Sequence, residues 1–192
     1  MREKKQRLGF TLVELVVLIL VVVVLFGLIA PSLISPCTNC AHEKARRATC
    51  LNNIKQIGLS LRLYSGDYQK RLPCDATGTA LGSLALLTNQ YQTSYKTWIC
   101  QSDPGMVSAG PGLPFTRINL SYAYGGFGLT EATQPDTPLV CDRSSSGDPT
   151  GPNPWSGNSW THKSDGGNFL FADGHVAFVK TMKPPMYRGK NP

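Results

Sequence analysis

Residues Arg7–Leu33 read "RLGFTLVELVVLILVVVVLFGLIAPSL". Between Phe10 and Ala30 the clearly polar side chains are Thr11 and Glu14. A helix rises about 1.5 Å per residue, so this run covers roughly 30 Å, the hydrocarbon thickness of a bilayer. No later stretch of the 192 residues compares with it, and a single membrane helix over 10–30 is predicted. Glu14 is the anomaly. An ionised carboxylate in hydrocarbon costs several kcal/mol, so it requires a partner or a task.

The flanks set the orientation. "MREKKQRLG" carries Arg2, Lys4, Lys5 and Arg7 against Glu3, a net +3 of the chain's +7. Positive residues beside a first span stay cytoplasmic, which puts the rest of the chain on the far side of the inner membrane. The remaining +4 is mild. It gives only weak support for contact with nucleic acid or an acidic surface, and solvated surface charge is the better account of it. A cleaved secretory signal is the competing reading. It fits poorly, because a signal core runs 7–15 residues and Pro31 stands where a cleavage site would fall. A plain signal anchor leaves Glu14 without a reason.

Gly9-Phe10-Thr11-Leu12-Val13-Glu14, between basic leader and apolar run, resembles the processing motif of type IV prepilins and type II secretion pseudopilins. The resemblance implies cleavage by a membrane prepilin peptidase between Gly9 and Phe10, followed by N-methylation of Phe10. It also implies that Glu14 guides assembly, its carboxylate pairing with the amino terminus of Phe10 on a neighbouring subunit. Two opposite charges in a helix bundle relieve one another where either alone would be costly.

Beyond the span, "PSLISPCTNC" holds Pro31, Pro36, Cys37 and Cys40, so a break in the helix is predicted over 31–40. "AHEKARRATCLNNIKQIGLSLRLYSGDY" then turns helical. Cys50, Ile54, Ile57, Leu61 and Tyr64 form one apolar stripe, suited to packing on a sheet. Arg46, Arg47, Lys55 and Arg62 lie mostly off it. "NFLFADGHVAFV" alternates around Asp173-Gly174 and predicts a hairpin with strands 168–172 and 175–179 joined by a two-residue turn.

The stretch "ARRATCLNNIKQIGLSLRLYSGDYQKRLP", with "WICQSDP" at 98–104, "SYAYGG" at 121–126 and the hairpin, resembles a pilin-like subgroup of planctomycete-type bacteria, DUF1559-like. That subgroup carries a His, nine residues, then Asp-Gly. Here His162 precedes Asp173-Gly174 by ten residues. The resemblance implies a pilin-like α+β fold: a transmembrane helix, a broken helical stem, and a helix packed on a small antiparallel sheet with long loops. The organisation that follows is a leader over 1–9, an assembly helix over 10–30, a break over 31–40 and an extracytoplasmic head over 41–192.

Six cysteines, Cys37, Cys40, Cys50, Cys74, Cys100 and Cys141, all lie beyond the span. Disulfides persist outside the cytosol, and six cysteines allow fifteen pairings. The resemblance implies bonded Cys50 and Cys100, one arrangement being to each other, with two further bridges among the other four. "CTNCAH" offers weaker alternatives. Haem attachment needs His immediately after the second Cys, but Ala41 intervenes. No thioredoxin-like unit follows to make it a redox pair. A zinc set of Cys37, Cys40, His42 and Cys50 is conceivable, but such thiols tend to oxidise.

The region from Ser102 to Trp160 is rich in Pro, Gly, Ser and Asp, and its stretch "PDTPLVCDRSSSGDPTGPNPWSGNSW" reads as loop. Asp142, Asp148 and Asp165 are candidate oxygen ligands for Ca²⁺. Major pseudopilins bind calcium in a late loop, but no residue-by-residue match supports that here. There is no Gly-x-Ser-x-Gly, no phosphate loop and no paired helical histidines, so an enzyme is not expected. Two functions follow. One is a filament subunit of a type IV pilus or secretion pseudopilus, whose partners are prepilin peptidase, other subunits and the inner-membrane assembly platform. The alternative is a membrane-tethered extracytoplasmic binding domain that does not polymerise.

Overall fold

The computed structural model describes residues 11–33, 38–92, 94–143, 161–162 and 166–180. It divides into two units, Met1–Ala41 and His42–Pro192. Gly9, Phe10, Cys37, Asp148 and Asp165 lie outside the described residues.

In the first unit, helix α1 runs Leu12–Leu33. Its apolar side chains are exposed on every face, from Leu12 through Leu15–Phe26 to Leu28. A capping box starts it. The Glu14 amide donates to Thr11 Oγ1 at 3.3 Å, and the Thr11 amide donates to Glu14 Oε2 at 3.3 Å. Glu14 therefore has a local partner. The Thr-x-x-Glu pattern of residues 11–14 was the signal for it. Among the described residues no helix is long and apolar enough to cross a membrane. The side chains of α1 are described as far as Leu28, and Leu12–Leu28 makes about 25 Å of helix, short of a span of about 30 Å. Helix resumes at Thr38, and 34–37 lie outside the described residues.

Helix α2 (Thr38–Asp67) carries the predicted stripe. Cys50, Ile54, Ile57 and Leu61 are buried, and Tyr64 packs against the same core. Each such aliphatic contributes roughly 1.5–3 kcal/mol on burial. The polar residues between them dock the helix. Asn53 Nδ2 donates to the Ile99 carbonyl at 3.0 Å, and Gln56 Oε1 accepts from Thr97 Oγ1 at 3.0 Å. Gly58 lies against Leu170, where even a Cβ would crowd the leucine tip at 2.9 Å. The helix ends where Gln69 and Lys70 turn left-handed, φ 54° and 62°, and the Lys70 amide reaches back to the Ser65 carbonyl.

After a short helix α3 (Ala80–Ala85), four strands form an antiparallel sheet in sequence order: β1 (Tyr122–Tyr124), β2 (Pro138–Asp142), β3 (Gly167–Phe171) and β4 (Val176–Val179). The core between α2 and the sheet also holds Trp98, Leu120, Tyr122, Tyr124, Val140 and Leu170. Tyr124 keeps its hydroxyl bonded there, donating to the Pro73 carbonyl at 2.9 Å. The fold is thus α+β, with helix on a small antiparallel sheet.

Two expectations change. Strand β2 lies inside the stretch read as loop. Pro138 is its first residue, a place where a missing N–H does no harm to a ladder, so the proline did not exclude a strand. The hairpin turn has three residues, Ala172-Asp173-Gly174. Phe171 and His175 face each other, the Phe171 amide donating to the His175 carbonyl at 3.0 Å, and only Gly174 takes a positive φ, 93°. A type I turn closed by a left-handed glycine needs one such residue, where a two-residue Asp-Gly turn needs two.

Candidate functional site

Cys50 on α2 and Cys100 after the Tyr95–Trp98 helical turn form a disulfide, their Cα atoms 5.1 Å apart. Both are fully buried. The arrangement follows from the docking of α2: Asn53 holds Ile99, and one helical turn earlier Cys50 meets Cys100.

Against this bridge stands His162, itself buried, with Nε2 3.6 Å from Cys100 Sγ. Its two nitrogens face two carboxylates. Nδ1 is 2.8 Å from Glu43 Oε1 in the early part of α2, and Nε2 is 3.3 Å from Asp142 Oδ2 at the end of β2. Burial alone would push the imidazole toward neutrality. The hydrogen bonds and charges of Asp142 and Glu43 outweigh it and raise its pKa. Burial likewise pushes Glu43 up, but His162, Ser102 and Arg47 reverse this and hold it below the ordinary range. An imidazolium donating from both nitrogens fits these distances.

Each carboxylate has further support. Ser102 Oγ donates to Glu43, and Arg47 Nε lies 3.7 Å from it. The Arg47 guanidinium also covers the Phe178 ring of β4 at 4.8 Å. Asp142 Oδ2 accepts from the Asn168 amide at 2.7 Å and from Asn168 Nδ2 at 2.9 Å, fastening β2 to β3. Its Oδ1 is buried with no hydrogen-bond partner among the described residues. Beside it, Arg143 Nη2 donates to both oxygens of Asp103, at 3.0 and 3.1 Å. Burial nonetheless keeps the Asp103 carboxyl above its usual range. The cluster cross-links α2, β2, β3 and the 161–162 segment through charge. The two sulfurs are bonded to each other, so neither is a free thiol nucleophile there.

Asp173 and Gly174 do not join His162. They stand at the hairpin tip, where Asp173 Oδ1 meets His175 Nδ1 at 2.6 Å and Arg62 Nη2 donates to the Asp173 carbonyl. The histidine and the Asp-Gly pair thus have separate partners. A cleft of about 310 Å³ opens beside this tip, with Leu61, Leu72 and Leu170 on its floor and Arg62, Glu131 and Asp173 around it.

Cys40 and Cys74 are exposed thiols without a bridge among the described residues, and Cys141 is buried in β2. Cys37 lies outside the described residues. Of the zinc set of Cys37, Cys40, His42 and Cys50, Cys40 and His42 are exposed, whereas Cys50 is buried and bonded to Cys100. Of the calcium candidates, Asp142 is engaged with His162 and Asn168. Glu43 went unnoticed in the sequence. It lies 119 positions from His162, and no local pattern ties them.

The family described as "Protein of unknown function (DUF1559)" matches residues 40–101. The matched stretch contains Glu43, Cys50, the Asn53–Gly58 docking residues and Cys100. The chain is similar to that family there. No curated protein matches the chain, and no solved structure does.

Proposed function

We propose that the chain is a structural subunit of a type IV pilus or type II secretion pseudopilus-like filament. The observation that carries this reading is α1, whose apolar side chains are exposed on every face. Such a helix is stable only in lipid or in a bundle of like helices. A filament subunit uses both, first in the inner membrane as a single-pass protein and then in the assembled core. The Gly9-Phe10 junction supplies the processing site. The basic leader keeps it cytoplasmic, and the head over 41–192 is exported. Prepilin peptidase, other pilin-like subunits and the assembly platform are its partners. The head is then a rigid body fastened by the disulfide and the buried charge cluster.

A non-polymerising tethered binding domain is the second reading, favoured by the cleft beside Arg62 and Asp173. One experiment separates them. The chain is expressed beside a prepilin peptidase and assembly platform, sheared surface material is collected, and the amino terminus is sequenced by mass spectrometry. Filaments containing chains that begin at N-methylated Phe10 are the expected result. A mature chain still starting at Met1 rejects processing. A processed chain absent from filaments leaves the tethered domain.

A further inference from the structure

Cys50, Cys100 and His162 are all buried and offer two sulfurs and an imidazole nitrogen within 4.8 Å of one another. The Cys100–His162 edge has the length found in a metal polyhedron, while the two sulfurs are bonded to each other. Zinc lies about 2.3 Å from sulfur and about 2.0 Å from nitrogen or oxygen. At tetrahedral angles these lengths separate sulfur from nitrogen by roughly 3.6 Å. The Cys100 Sγ to His162 Nε2 distance is 3.6 Å.

The surroundings are also those of a metal site. Glu43 holds the other imidazole nitrogen at 2.8 Å, as an outer carboxylate does when it orients a metal-bound histidine and keeps its proton on the far nitrogen. Asn168 fixes Asp142 by two hydrogen bonds.

We propose that the reduced head binds one Zn²⁺ through Cys50, Cys100 and His162, with the fourth position left to a water molecule. Disulfide and metal are then alternative ways to join the same two sulfurs. The chain is synthesised with both thiols reduced. Binding turns them into thiolates and takes up the neutral imidazole, so the two thiols and the His162 imidazolium release three protons. Oxidation instead removes two electrons and two protons from the thiols to a disulfide oxidant. In the reverse direction a dithiol supplies two electrons and two protons and becomes a disulfide itself. Unbonded sulfurs must separate to van der Waals distance in any case, close to the sulfur–sulfur edge of a zinc tetrahedron, about 3.8 Å.

The test uses the full chain in detergent micelles, reduced with a phosphine and stripped of metal. Cobalt(II) is added as the probe, then Zn²⁺. One equivalent of cobalt should give the strong visible bands of tetrahedral coordination and a near-ultraviolet thiolate charge-transfer band, and one equivalent of Zn²⁺ should bleach both. Zinc should slow alkylation of Cys50 and Cys100 by about tenfold or more, since only a free thiolate reacts. The oxidised protein should give no bands. His162→Gln should lose them, and a Cys37→Ser/Cys40→Ser variant should keep them. An octahedral spectrum or none from the reduced protein overturns the proposal. So does a tetrahedral spectrum that survives Cys50→Ser/Cys100→Ser or vanishes in Cys37→Ser/Cys40→Ser. If reduction unfolds the head, circular dichroism decides: Zn²⁺ must restore the native signal, and failure to do so also overturns it.

Discussion

Replacing His162 with Ala removes the positive centre of the buried cluster and leaves the disulfide in place. Asp142 then remains fully buried with its charge facing a cavity, held only by the two hydrogen bonds from Asn168. Breaking a buried ion pair from one side costs about 3–5 kcal/mol. Asn168 still solvates one oxygen and Glu43 is 24% exposed, so the low end applies, about 3 kcal/mol. For a chain of this size that is a fall of roughly 6–12 °C in Tm. Adding Asp142→Asn removes the stranded charge and should recover about 1–2 kcal/mol, an amount typical of coupling between contacting groups. The assay is thermal unfolding followed by circular dichroism, on oxidised protein in micelles. The wild type also carries a pH signature. His162 has its pKa raised by folding, so its contribution is complete below about 6.5 and is lost as pH climbs through the folded value. Glu43 is lowered, so its contribution is complete above about 4.3 and is lost as pH falls through its folded value. The cluster is at full strength between roughly pH 4.3 and 6.5. A His162→Ala variant melting within about 2 °C of wild type at pH 6, or a double variant no more stable than the single one, would refute the reasoning.

Other perturbations reach other parts of the chain. Changing both Cys50 and Cys100 to Ser opens a loop of 50-residue separation, which the chain-entropy relation values at about 4 kcal/mol, measurable by urea unfolding. Gly174→Val forces a β-branched residue to φ 93° and brings its Cβ to 2.7 Å from Arg62 Nη2. A loss of about 1–3 kcal/mol is expected, with hydrogen exchange rising at the tip of the β3–β4 hairpin, and an unchanged Tm would contradict the assigned turn. Glu14→Val removes one side of the capping box with Thr11, a loss of about 1 kcal/mol confined to α1. Under the filament reading it also sharply reduces the ratio of subunit in sheared filaments to subunit in the membrane, with Glu14→Gln close behind; assembly at wild-type levels would show that charge does not place the subunit.

The features legible in the sequence are those whose cause lies within a few positions. The apolar run of α1, the 4-3-4-3 stripe of α2 and the alternation flanking Asp173-Gly174 are local patterns, and they became a helix, a docked helix and a pair of antiparallel strands. Even the capping of Glu14 by Thr11 was available, in a four-residue pattern. Strand β2 was harder. Its short apolar core sits among Pro, Ser and Asp, and it becomes a strand because β1 and β3 on either side satisfy its backbone. The His162 cluster lay beyond reach altogether. A histidine's charge depends on which carboxylates share its cavity, and Glu43 and Asp142 arrive there on separate elements, after α2 has docked on the sheet. The raised pKa of His162, the meeting of Cys50 with Cys100 beside it, and the separation of His162 from Asp173-Gly174 are therefore properties of the packed head. Desolvation and proximity create them, and neither exists in the chain before it folds.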